Sequence, residues 1–201
     1  MATPNGARDG LRIALRLAIV GAVVAAVVLV ELTSRSGVAW RLITFTYQVN
    51  VLAAAYYAWT LVSPKANRRN GVRGAVVVYV VVAGLVWNLF LTGRSMGYTP
   101  ANLLLHVVVP ALALVDWLAI GRDDRVVRWW QPIAWLAYPA AYGALAFLVL
   151  NSAGRRAPYY FLDPTSVGVP TVLVNCGLLL SCFLGIGYLL AASSRTRAAN
   201  T

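Results

Sequence analysis

Six stretches of nearly continuous apolar residues divide the chain, at 11–31, 41–62, 73–91, 100–120, 132–150 and 169–192. A helix needs roughly 20 mostly apolar residues to cross a bilayer, and each stretch is about that long. The breaks between them collect the glycine, proline and polar residues that the stretches lack. Loop one has Thr33, Ser34, Arg35, Ser36 and Gly37, and loop two is 63–71, with Pro64, Lys65, Arg68 and Arg69. Loop three is 92–99, loop four holds Gly121, Arg122, Asp123, Asp124, Arg125 and Arg128, and loop five, 151–168, is the longest. The pattern predicts an all-α polytopic membrane protein. Its bundle of six transmembrane helices occupies 11–192, between short tails at 1–10 and 193–201.

The first stretch follows Arg8, Arg12 and Arg16, as the apolar run of a cleaved signal peptide would. It is as long as a full span and five more follow, so it reads as helix one.

Composition agrees with the pattern. Of 201 residues 60% are apolar and 11% charged, with a mean hydropathy of +0.72. A soluble domain carries about 25% charged residues, and a disordered chain has low hydrophobicity, so both classes are excluded. The formal net charge is +11. Cytoplasmic loops collect Lys and Arg. On the N-terminal side lie Arg8, Arg12, Arg16, Lys65, Arg68, Arg69, Arg73, Arg122, Arg125, Arg128, Arg195 and Arg197. The other side has Arg35, Arg41, Arg94, Arg155 and Arg156, so both termini are expected in the cytoplasm. The charge then reflects orientation and contact with anionic lipid, not nucleic acid. Sixteen arginines against one lysine hint at a GC-rich bacterial genome, and hence a multi-pass protein of the inner (plasma) membrane. Cys176 and Cys182 share one stretch but face different ways on a helix, so no disulfide framework is read from them.

Polar side chains inside the stretches are costly in lipid and invite explanation. Helix two carries Thr44, Thr46, Gln48 and Asn50; helix four has Asn102, His106, Pro110 and Asp116; Asn88 and Asn175 lie in helices three and six. His106 is the only histidine, the one intramembrane group whose ordinary pKa suits proton transfer at neutral pH. Equally, it could join two helices by one hydrogen bond. Helices two and four both enter from the outer side, which puts Thr44 and His106 at depths of roughly 5 and 9 Å. A hydroxyl beside an imidazole is the minimum for nucleophilic acyl transfer. A threonine in a membrane helix also often bonds its own backbone.

Loop five could close over the pair with Tyr159, Tyr160, Phe161 and Asp163. Glu31 or Asp163 could polarise His106, while Asp116, about 15 Å further along the helix, is too far to do so. Its bland reading is a pair with an arginine of loop four. Pro110 is expected to kink helix four and open space beside His106. No zinc-ligand pair, phosphate-cradling glycine loop or catalytic carboxylate pair is present, so no metal or cofactor is expected.

The segments "TFTYQVN", "NLLLHVVVPALALVDW" and "YYFLD" resemble the Pr6Pr family of bacterial six-span membrane proteins. That family is similar to the animal androgen-induced and androgen-dependent membrane proteins, and the resemblance runs from about Trp40 to Gly187. It implies hydrolysis of fatty-acid esters of hydroxy fatty acids by a threonine and a histidine. The animal Trp-basic-x-x-Thr-Phe context corresponds to Trp40, Arg41, Thr44 and Phe45, and the histidine, proline and acid to His106, Pro110 and Asp116. Tyr159, Tyr160, Phe161 and Asp163 resemble a Tyr-Pro-Phe-x-acid segment in which Tyr160 replaces the proline. The bacterial branch emphasises Phe45, Thr46, Gln48 and Asn50, which leaves Thr46 as an alternative nucleophile.

The expected function is therefore hydrolysis of a membrane lipid ester. Thr44 would attack, His106 would be base and then acid, and Gln48, Asn50 or Asn102 would donate to the oxyanion. The alternatives are a small proton-coupled transporter lined by His106, Asn50, Asn175 and Asp116, and a scaffold whose polar residues are interhelical glue.

Overall fold

The computed structural model describes residues 4–33, 41–94, 97–120, 126–146 and 159–199. Trp40, most of loops one and four, and the part of loop five with Arg155 and Arg156 lie outside the described residues. Every regular element among the described residues is helical.

Helix α1 is Pro4–Thr33 and α2 is Phe45–Val62, joined through a short turn, Pro64–Asn67, to α3, Asn70–Val86. A wider π-helical turn, Trp87–Leu91, continues α3. Helix α4 covers residues 100–120 in four pieces: Pro100–Leu103, a π turn at Leu104–Val108, Val109–Val115, and a second π turn at Asp116–Ile120. Its start follows from the local sequence: Thr99 accepts from the Asn102 N–H and Pro100 takes a first-turn position. Helix α5 is Gln131–Ala134 and Ala137–Leu145, separated by a turn. A 3₁₀ turn at Tyr160–Leu162 and a helical turn at Pro164–Val167 lead into α6, Val169–Ala199. Gly168, at φ +79°, makes the bend before α6 that a side chain would resist.

Among the described residues four helices are long and apolar enough to cross a membrane: Gly6–Thr33, Asn70–Leu91, Pro100–Ala119 and Val169–Thr196. The expectation of six is met in those four. Helix α2 is short and carries Thr46, Gln48, Asn50 and Thr60, and the described part of α5 is broken at Trp135 and Leu136. The exterior is apolar: Leu11, Leu17, Leu173, Leu178 and Leu189 are each more than half exposed. Apolar surface on that scale suits lipid and not water.

Helix α3 is the axis of the bundle. Residues 76–83, mostly valine, are buried on every side, between α2, α4 and α6. Helix α1 packs on α2 and α4. Contacts sort the chain into two ends. At the end nearer the termini, the Trp117 indole donates to Ser193 Oγ (3.0 Å) and the Val127 N–H to Ser194 Oγ (3.2 Å). At the distal end Glu31 pairs with Arg41, and Tyr98 donates to Asn88 (3.0 Å).

The termini end holds the most buried charges among the described residues. Asp116, fully buried, bridges two arginines: Arg16 Nε of α1 lies 3.2 Å from Oδ1 and Arg73 Nε of α3 lies 3.0 Å from Oδ2. Arg73 also donates to the Asp116 carbonyl (2.7 Å) and lies over the Trp117 ring, and Arg16 donates to Asn67. These partners come from α1 and α3, whereas the expected ones were in loop four, where Arg122 and Arg125 lie outside the described residues. Arg16 and Arg73, counted above as loop-side charges, point into the bundle because a carboxylate on α4 is there to meet them.

Candidate functional site

Pro110 shapes helix α4 around His106. Proline has no N–H and its ring displaces the carbonyl four residues back. The wide turn already sends the Val109 N–H to Leu104, which leaves the Leu105 carbonyl to a proline that cannot donate. Two asparagines on neighbouring helices serve the exposed carbonyls. Asn50 of α2 donates to Leu105 (3.4 Å), and Asn88 of α3 donates to His106 (3.1 Å). The second contact requires the helices to meet closely, and Gly84 of α3 permits it: a Cβ there would lie 2.7 Å from the His106 carbonyl oxygen.

His106 itself is buried. The imidazole stacks on Trp87, centroids 4.6 Å apart and planes 11° apart, and it meets the Ala83 carbonyl. Its Nδ1 is buried with no hydrogen-bond partner. Buried unpaired nitrogens are rare in folded proteins and call for a reason, strain or function among them.

The expected helpers of His106 are committed elsewhere. Glu31 pairs with Arg41. Asp163, buried, caps the turn Pro164–Val167, accepting from the Thr165 N–H (2.9 Å), the Thr165 hydroxyl (2.7 Å) and the Ser166 hydroxyl (2.8 Å). Thr44 precedes α2 and its hydroxyl donates to the Arg41 carbonyl at 2.8 Å, the local bond expected of threonine. No hydrogen bond joins it to His106. Gln48 donates to the Leu42 carbonyl and accepts from Tyr138 (2.6 Å), Asn50 donates to Thr46 and Leu105, and Asn102 donates to Gly97 (2.8 Å). The three expected oxyanion donors are thus tied into the fold. Replacing Asn50 by alanine should leave the Leu105 carbonyl unpaired and lower stability by about 1 kcal/mol, read as a fall in melting temperature in detergent.

A cavity of about 290 Å³ opens at the distal end, between the start of α2, the distal half of α3, α5, the Tyr160–Leu162 turn and α6. Val82, Ala83, Leu179, Leu180 and Phe183 are part of an apolar wall. Thr46, Tyr142, Tyr159 and Cys176 are its polar exceptions. Thr46 Oγ lies 3.4 Å from the Tyr159 hydroxyl, which also accepts from the Thr46 N–H (3.3 Å). Loss of water around Tyr159 raises its pKa above the usual phenol value, so the group stays protonated and able to donate.

Bonds from Thr46 to Tyr159, and from Asn175 of α6 to the Phe161 carbonyl (2.9 Å), hold the end of loop five against this cavity. Phe161 stacks on Tyr159, while Tyr160 faces away, under the Arg94 guanidinium at 4.1 Å. The described end of loop five, from Tyr159, therefore lies on the cavity, not on His106. His106 stands behind the lining, against Ala83, and Thr44 does not reach the cavity. Asn175 belongs to this distal end and Asp116 to the other, each engaged by the fold.

Sequence reasoning missed Arg16 and Arg73 as partners of Asp116, although an arginine five residues into an apolar run was a usable signal. It also missed Trp87 and Tyr142, which nothing in the sequence sets apart from the other aromatic residues. Compared with family models, curated proteins and solved structures, the chain matches none.

Proposed function

We propose that this protein is a lipid-ester hydrolase of the bacterial inner membrane, with six spans and both termini in the cytoplasm. The excess of cations on the termini side supports that orientation even when Arg16 and Arg73 are set aside. The observation that carries the functional reading is the distal cavity: an apolar chamber with a threonine hydroxyl and a phenol together at its rim. An acyl chain would enter it from the lipid, with its ester carbonyl at Thr46. The Thr46 hydroxyl would attack that carbonyl carbon, passing its proton to His106, which returns it to the departing alkoxide. Water then cleaves the acyl-threonine ester, with His106 again as base. Tyr159 would donate to the oxyanion. This chemistry requires the His106 ring to leave Trp87 and reach Thr46 as lipid enters, and the unpartnered Nδ1 is the group available for it. The motif resemblance favours Thr44; the cavity favours Thr46.

Treating the purified protein with a fluorophosphonate probe tests the reading. Labelling is expected in the wild type and Thr44→Ala, with at least a hundredfold loss in Thr46→Ala and in His106→Ala, the scale at which nucleophile and base act. Labelling that survives both of the latter would overturn it. A second reading, a non-catalytic acyl-chain binder, is favoured by the lack of a hydrogen bond between His106 and either threonine. It predicts no labelling, with a photoactivatable fatty acid still crosslinking to the cavity wall.

A further inference from the structure

At the termini end an open groove of about 770 Å³ runs between the start of α3 and the start of α5. Among the described residues it is lined by Arg68, Arg69 and Arg128, together with Asn70, Gln131 and Trp135. All three arginines are exposed. The groove is built by close contact. Gly71 sits against the Gln131 side chain where a Cβ would clash, and Gln131 Oε1 in turn accepts from the Arg128 N–H at 2.8 Å. Two stretches of chain far apart in sequence thereby contribute three arginines to one concavity, and the Arg69 guanidinium also lies over the Trp59 ring at 5.3 Å.

Its surroundings say what sort of anion fits. Trp129 and Trp130 are 65% and 44% exposed, and Val72 and Val126 at the groove are 41% and 43% exposed. Exposed tryptophan beside exposed valine and arginine, at the end of apolar helices, is the composition of a membrane interface. Guanidinium groups bind phosphate in fork geometry, and basic pockets at the cytoplasmic ends of membrane helices hold anionic headgroups.

We propose that the groove lined by Arg68, Arg69 and Arg128 is a binding site for the phosphate headgroup of an anionic phospholipid. The site is separate from the distal cavity and needs no ester hydrolysis, though it rests on the bundle lying in a membrane. A lipid here bridges the α2–α3 connection to the start of α5, and so stabilises the folded protein by binding it.

The test uses the full-length protein in neutral detergent, with melting temperature followed against short-chain phosphatidic acid, short-chain phosphatidylcholine and inorganic phosphate. Phosphatidic acid alone should raise the melting temperature. In the Arg68→Gln/Arg69→Gln/Arg128→Gln variant the apparent affinity should fall about tenfold or more. The control Arg8→Gln/Lys65→Gln/Arg195→Gln removes as much charge from exposed positions outside the groove, and should keep the wild-type response. An equal loss in the control, no loss in the groove variant, or an equal response to inorganic phosphate or phosphatidylcholine would overturn the assignment.

Discussion

Replacing Asp116 by alanine is expected to destabilise the bundle by about 3–5 kcal/mol, the effect of leaving a buried charge without its partner. The wild-type site holds two guanidinium groups on one carboxylate, with Arg16 and Arg73 each only 3% exposed. Removing the carboxylate takes away the anion that both cations share, in surroundings that exclude water. The backbone bonds from Arg73 to the Asp116 and Trp117 carbonyls survive, but they do not neutralise charge. The expected readout is a large fall in melting temperature in detergent, or failure to recover folded protein from membranes. Asp116→Asn should behave almost as badly, since it keeps the shape and loses the charge. Replacing all three residues by apolar ones of similar size should recover most of the loss, because a buried ionic cluster is not required for stability. Wild-type melting in Asp116→Ala would mean that the arginines escape to water when freed.

Gly84→Val is expected to produce the next largest loss, about 2–3 kcal/mol, from overpacking. A Cβ at this position meets the His106 carbonyl oxygen at 2.7 Å and the Pro110 ring at 3.0 Å. Neither can yield cheaply, because one is helix backbone and the other a rigid ring on that backbone. Helices α3 and α4 must then separate, breaking the Asn88 bond to His106 and the stack of His106 on Trp87. Gly185→Ala on α6 is the matched control: a Cβ there meets nothing within 4 Å, so melting should be unchanged or slightly raised. Equal melting of Gly84→Val and wild type would show that the α3–α4 contact is looser than drawn.

Much of the fold was legible in the sequence. Among the described residues, the apolar windows placed the four helices long and apolar enough to span a membrane, because twenty apolar residues in a row have few other uses. The helices run beyond those windows, from Pro4 and to Ala199, because a helix continues past the end of its apolar face. The chemistry was less legible. Thr44 and His106 were paired by depth, yet depth along a helix says nothing of azimuth. His106 faces α3, and Thr44 turns to Arg41 before α2 begins. Asn50 looked like a site residue and, together with Asn88, serves carbonyls released around Pro110.

The scarcity of polar residues, the six windows and the single histidine were properties of the sequence alone, fixed by what a bilayer will accept. Which polar groups face one another was decided by the tertiary structure. Side-chain direction depends on helix rotation and on the local widening around Pro110, and both are set by close packing at sites such as Gly84. Packing placed Thr46 and Tyr159 on a cavity, His106 behind its wall, and Asp116 between two arginines.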